Sequence, residues 1–137
     1  FSCTRCVAKA ANIEKKVERW QRIAEEAAKQ SGRGIIPQVR YTADYVSVLN
    51  DALHTDLPLF MYETGERETI RDAIEHAAQP VASAAIITGP EGGFAEFEAD
   101  MARKLGMHIC SMGEPILRCE TAPVVALTAL MYGTGNL

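Results

Sequence analysis

The sequence predicts an α/β domain, a mostly parallel sheet flanked by helices. Three observations predict it. Short apolar runs at 57–63, 81–88 and 108–112 alternate with segments that carry helical apolar spacing. Two of those runs lead into glycine-bearing turns that open a helix, the connection a parallel sheet uses. The chain has 137 residues, 47% hydrophobic and 23% charged, which suits one compact domain and argues against long disorder.

Residues 14–31 predict the first helix. Ile13, Val17, Trp20, Ile23, Ala24, Ala27 and Ala28 recur at three- and four-residue steps, which builds one apolar stripe, and Gly32 follows as a C-cap. Residues 35–41 predict a short strand with Pro37 near its start, and 43–52 a second helix. The run LPLFMYE at 57–63 predicts a strand, and 69–78 a helix stopped by Pro80. VASAAIIT at 81–88 is almost continuously apolar, as a central strand buried on both faces would be. Residues 96–105 predict a helix capped by Gly106, and 108–112 the next strand. After a loop over 113–120, Thr121 is placed to cap a final apolar helix at 122–132.

That last helix falls well short of the ~20 apolar residues of a membrane span. No basic segment followed by an apolar core marks a signal peptide. Four cysteines in a chain of this size do not make a disulfide scaffold, so the expected setting is the reduced cytoplasm. Net charge is −4, split into +5 over residues 1–40 and −9 over 41–137. A basic first third could face a polyanion, although charge alone favours an ordinary solvated helix face.

Four stretches could carry chemistry. Gly89-Pro90-Glu91-Gly92-Gly93 follows a strand and opens a helix, the position where α/β sheets bind ligands. It is neither a dinucleotide fingerprint nor a P-loop, and its Pro and Glu suit phosphate poorly. Residues 112–122, MGEPILRCETA, form a second such loop. There Ile116 and Leu117 either plug the core or wall a ligand, and Arg118 and Glu120 form at least a surface pair. Lys29, Arg33 and Arg40 make a modest basic cluster at the first helix's end, which dipole effects alone explain. Cys3 and Cys6 form a C-x-x-C with no second pair at metal spacing, so neither a metal site nor redox function is expected. His54, His76 and His108 form no ligand-spaced pair and are expected at the surface or in packing.

Three collinear stretches resemble the RsmE family of ribosomal RNA methyltransferases of the SPOUT superfamily. They are ERWQRIAEEAAKQSGR at 18–33 followed by an Ile-Pro, TGPEGGF at 88–94, and MGEPILRCETA at 112–122. The resemblance covers essentially the whole chain. It implies a SPOUT-type domain over 1–137 with a C-terminal trefoil knot that binds S-adenosylmethionine. The family's N-terminal PUA-like domain and the first strand and helix of its knotted domain have no counterpart in this sequence, which places Phe1 in that domain's second strand. The implied cofactor pocket comprises Tyr62, Glu63, Thr88, Gly89, Pro90, Glu91, Gly92, Gly93, Met112, Gly113, Ile116, Leu117, Thr121 and Ala122.

The implied reaction methylates ring nitrogen N3 of a uridine in 16S, small-subunit ribosomal RNA. Arg118 is the candidate for stabilising the developing uracil anion, and Glu120 or Glu91 for orienting Arg118 or taking the proton. Arg22, Gln30 and Arg33 are the candidate RNA contacts. The implied partners are the small ribosomal subunit and a second copy of the chain, with no membrane and no metal. Competing readings are a SPOUT methyltransferase acting on transfer RNA, a non-catalytic SAM-binding or dimerising fragment, and a nucleotide-binding module. The last lacks both a phosphate-binding lysine and a dinucleotide fingerprint.

Overall fold

The computed structural model describes residues 1–6 and 12–137, so Lys9 of the basic first third lies outside the described residues. Helix α1 spans Ile13–Gln30. It ends as its glycine predicts. The Ser31 N–H donates to the Ala27 carbonyl at 3.0 Å, Gly32 turns at φ +68°, and the Arg33 N–H reaches back to Ala28 at 3.0 Å. The apolar stripe has the right phase but little cover. Ala28 is buried, while Trp20 is 44% and Ile23 51% exposed.

The strand expected over 35–41 does not form. Pro37 has no donor for a ladder, and Gln21 takes the neighbouring groups instead. Its Nε2 donates to the Pro37 carbonyl at 3.2 Å, and its Oε1 accepts from the Val39 N–H at 2.8 Å. Residues 1–6 form a turn rather than a strand. Helix α2, Tyr45–Ala52, starts two residues later than the pattern suggests. Asp44 is its N-cap, accepting from the Val46 N–H at 3.0 Å.

Among the described residues, four parallel strands make the sheet: β1 Leu57–Met61, β2 Glu68–Thr69, β3 Ala84–Ile87 and β4 His108–Ser111, in the order β2-β4-β1-β3. All of β1 is buried. Its alternation serves both faces. Leu57, Leu59 and Met61 pack with Ile70, Ala73, Cys110, Ala126 and Leu130, which brings in α3 (Ile70–His76) and α5 (Ala122–Gly133). Phe60 and Tyr62 pack with Leu49, Ala52, Phe94, Ala99, Ala102 and Ile109, which brings in α2 and α4 (Glu96–Lys104). Pro58 fits inside this central strand for a local reason. The Leu57 N–H points to Ser83 on the β3 side, so the donor Pro58 lacks would face β4, whose pairing starts only at Leu59.

Two expectations need correction here. Among the described residues the interior strands are β1 and β4, and 81–88 supplies the edge strand β3, shortened to Ala84–Ile87 with Ala84 exposed. Asp56 accepts the Ala82 and Ser83 N–H groups at 3.0 and 2.8 Å, which leaves the Ser83 carbonyl, bonded by the Leu57 N–H, as the last contact with β1 before the strand. The Ser83 hydroxyl, with those two bonds, holds the Asp56 carboxyl below its usual range. Strand β2 has no apolar signature at all. Glu68 holds it to the sheet by taking the His108 ring nitrogen at 2.6 Å and facing His76 at 3.4 Å. Thr69 then caps α3 in a reciprocal box with Asp72, so that helix begins at Ile70.

Glu98, 2% exposed, is a buried carboxylate that the sequence pattern did not single out. One oxygen accepts from the Thr4 N–H at 2.8 Å and the Thr4 hydroxyl at 3.0 Å. The other accepts from the Ala95 N–H at 2.7 Å. It therefore starts α4 and anchors the N-terminal turn to it. Tyr45 donates to the Glu98 carbonyl at 2.9 Å, and burial with the Glu98 charge pushes its phenol well above the usual range. Glu98→Ala strands the buried Ala95 N–H and frees the two donors of Thr4, so it is expected to cost about 2 kcal/mol in urea denaturation. Glu98→Gln, which keeps one acceptor oxygen, should cost less. Equal stability of Glu98→Ala and the parent would refute the assignment.

Candidate functional site

The site lies where three adjacent parallel strands end. Tyr62 and Glu63 follow β1, Thr88 and Gly89 follow β3, and Met112 and Gly113 follow β4. Strand C-termini in a parallel sheet place their following loops on one side of the molecule. These loops enclose a cavity of about 560 Å³, within the ~300–1,000 Å³ range of small-molecule sites.

Almost every residue expected in the pocket lines this cavity: Tyr62, Glu63, Thr88, Gly89, Pro90, Glu91, Gly92, Gly93, Met112, Gly113, Ile116, Leu117 and Ala122. Arg118 and Glu120 line it too. Thr121 does not. It sits at the N-cap position of α5, but its side chain bonds no helix N–H. The lining adds Met61, Cys110, Ser111, Glu114, Pro115 and Cys119. Met61, the last residue of β1, is paired with Cys110, one step before the end of β4. Only the register between strands reveals that position.

The glycine loop is shaped by its neighbours. The Gly93 N–H closes a turn on the Pro90 carbonyl at 2.9 Å, and Gly93 sits at φ +66°. A β-carbon there would collide with the Glu63 carboxylate. A β-carbon on Gly89 would meet the Phe94 ring at 3.2 Å. Phe94 itself is locked in the core, 4.4 Å from the Phe60 ring centroid. The loop's backbone is thus held close to the cavity by a buried aromatic cluster, with no side chain in the way.

The opposite wall is the 113–120 loop. Ile116 is 79% exposed and Leu117 half-buried, so these residues do not plug the core and instead form an apolar wall. Arg118 is exposed, and its carbonyl accepts the Thr121 and Ala122 N–H groups, both at 2.9 Å. Among the described residues, no hydrogen bond or ion pair ties its guanidinium. The Arg118–Glu120 pair suggested by the sequence is absent. The Cys119 thiol donates to Glu120 at 3.2 Å instead. The Glu120 backbone N–H and that thiol hold its carboxyl below the usual range, which makes it a weak base. Burial, with the nearby Glu68 and Asp72 charges, pushes the Cys110 thiol up to about 12, so it stays protonated.

Arg22, Gln30 and Arg33 lie away from the cavity, exposed on α1 and just beyond its end. Arg40 is engaged by Gln38 through its Nε at 3.0 Å. Among the described residues, no three His, Cys, Asp or Glu side chains gather as a metal site, and no helix is long and apolar enough to cross a membrane.

A family model described as an RNA methyltransferase domain matches residues 1–131. The chain is 35% identical over 118 residues to the ribosomal RNA small subunit methyltransferase E of Mesomycoplasma hyopneumoniae, covering 85% of this chain and 49% of that protein. Identity to the protein of the same name from Bacillus subtilis is 34% over 139 residues, covering 98% and 54%. A crystal structure of a ribosomal RNA small subunit methyltransferase E from Neisseria gonorrhoeae, bound to S-adenosyl methionine, superposes with a TM-score of 0.77. Identity there is 32%, over 94% of this chain and 51% of that one. The chain thus spans about half the length of the curated relatives it matches.

Proposed function

The chain belongs to the RNA methyltransferase domain family, and from that premise we propose that it transfers the methyl group of S-adenosylmethionine to ring nitrogen N3 of a uridine in 16S ribosomal RNA. The observation that carries the cofactor half is the cavity at the ends of β1, β3 and β4. Its chemistry suits the cofactor. The glycine loop brings backbone groups near a nucleoside's edges, Met112, Ile116 and Leu117 offer an apolar wall, and Glu63, Glu91 and Glu120 offer carboxylates to a cationic ligand. The names of the relatives and the bound ligand of the Neisseria protein support the same reading.

When bound, S-adenosylmethionine supplies a methyl group already activated by its sulfonium. The protein's task is then alignment and charge stabilisation. Arg118, untethered at the cavity wall, is placed to stabilise the negative charge that grows on the uracil carbonyl oxygens as N3 loses its proton. Glu120, with its lowered basicity, serves better to hold the loop through Cys119. Glu91 remains to orient the guanidinium or accept the proton. Arg22, Gln30 and Arg33 give RNA a polar, partly basic edge on α1.

The same reading makes residues 1–137 a SPOUT-type domain in which the 113–120 loop and α5 form the threaded part of a trefoil knot. It also makes the chain a homodimer of the cytoplasm. The exposed Val124, Leu127 and Tyr132 of α5, with Ile116 beside the cavity, support a second copy as the cover.

The test is calorimetric titration with S-adenosylhomocysteine, with ATP as control, followed by methyl transfer to small ribosomal subunits and nucleoside analysis. The expected result is saturable binding of the first ligand alone and formation of 3-methyluridine in 16S RNA. Binding without transfer would leave a cofactor-binding fragment. Label in transfer RNA would redirect the substrate, and binding of ATP alone would reject the reading.

A further inference from the structure

The Cys3–Cys6 pair is the sequence feature that the proposed reaction does not use. Spacing alone gave no reason to assign it a role, but the fold changes its standing. The two sulfurs lie 3.4 Å apart. The turn between them is closed twice, by the Cys6 N–H on the Cys3 carbonyl at 3.1 Å and by the Cys3 N–H on the Cys6 sulfur at 3.3 Å. Glu98 grips Thr4 in the middle of that turn through two hydrogen bonds. Both thiols are half-buried, so neither is sealed in the core.

The turn also touches the candidate cofactor loop. The Arg5 guanidinium donates to the Gly92 carbonyl at 3.3 Å. A β-carbon on Gly92 would come within 3.0 Å of the Arg5 β-carbon and 3.2 Å of its carbonyl oxygen. The two segments are therefore in close contact, and Arg5 sits between the cysteines in sequence.

We propose that Cys3 and Cys6 are an oxidisable dithiol, closed to a disulfide by exchange with low-molecular-weight disulfides, and that closure alters the cofactor loop through Arg5 and Gly92. The second half rests on the cofactor reading above, and the first does not. Closing the gap to the ~2.05 Å of a disulfide moves the sulfurs by little more than an ångström relative to each other. Burial and the hydrogen bond with Cys6 push the Cys3 thiol up to about 12, so exchange runs through the pair's thiolate fraction. One cysteine thiolate attacks one sulfur of the oxidant and expels the other as a thiolate. The other cysteine sulfur then attacks the bound cysteine sulfur of the mixed disulfide, and the second thiol leaves. One external disulfide becomes two thiols, and the protein dithiol becomes one disulfide. In a reducing compartment such a bond is transient, as redox-sensing bonds are.

The experiment incubates the whole chain in glutathione redox buffers, maps its peptides by mass spectrometry, and titrates S-adenosylhomocysteine before and after oxidation. The expected result is a Cys3–Cys6 link with loss of two hydrogens and an affinity about fivefold weaker. Dithiothreitol should restore the affinity, and Cys6→Ser should form no link within the 3–6 turn. A persistent glutathione adduct on one sulfur, or two free thiols throughout, would overturn the dithiol. A mapped disulfide with unchanged affinity would overturn the coupling. If the reduced chain binds no S-adenosylhomocysteine, the coupling falls with the cofactor reading, and peptide mapping alone still decides the dithiol.

Discussion

Gly93→Ala is expected to weaken S-adenosylhomocysteine binding by about a hundredfold, roughly 3 kcal/mol. Two costs add at this position. Gly93 turns at φ +66°, where a side chain costs roughly 1–2 kcal/mol. The new methyl group also runs into the Glu63 carboxylate, which lines the same cavity. Either Glu63 swings away or the Pro90–Gly93 turn opens, and both outcomes spoil the pocket. Gly65→Ala separates the two costs. Gly65 has φ +74° but nothing within 4 Å of its would-be β-carbon, and it lies outside the cofactor cavity. It should lose some stability and keep its affinity. Adding Glu63→Ala to Gly93→Ala relieves the collision, so its effect is expected to be smaller than additive. Wild-type affinity in Gly93→Ala, measured by calorimetry, would show that the loop does not hold the cofactor.

Arg118→Ala is expected to lower kcat for RNA methylation by about 10²–10³ while S-adenosylhomocysteine affinity stays nearly unchanged. The guanidinium is exposed at the cavity wall and, among the described residues, bound to nothing. Removing it therefore breaks no structural contact, although its backbone carbonyl continues to start α5. A transition-state role shows in kcat, whereas a role in RNA affinity would show in KM. Arg118→Lys keeps the charge but loses the planar fork, so partial recovery is expected. Unchanged kcat in Arg118→Ala would move the role elsewhere, and neither Arg22 nor Arg33 lines this cavity.

Much of this site was legible before the fold. The two glycine-bearing loops were readable from runs of apolar residues broken by Gly and Pro, the strand end at Tyr62 and Glu63 came from the family resemblance, and the three meet at one cavity. Ile116 and Leu117 were anomalous as apolar loop residues and prove to be cavity wall. Other features left no such trace. Strand β2 is a Glu-Thr pair held by a histidine bond, so hydropathy cannot find it. Segment 81–88 reads as central because its residues are apolar, yet Asp56 shortens it and the sheet order makes it an edge among the described residues. Glu98 reads as one more charge on a polar helix, and only the N-terminal turn packed on α4 makes it a buried acceptor.

The sequence by itself determined the α/β class, the helices with their glycine and proline stops, and the loops where chemistry could sit. Those properties depend on local spacing and backbone freedom, which neighbouring residues carry. Only the tertiary structure decided the strand order, the partners of Glu98, the contact of Arg5 with Gly92 and the approach of the two cysteine sulfurs. Each of these joins segments through space, and hydrogen-bond partners or close contacts at long separation leave no periodic mark on the chain.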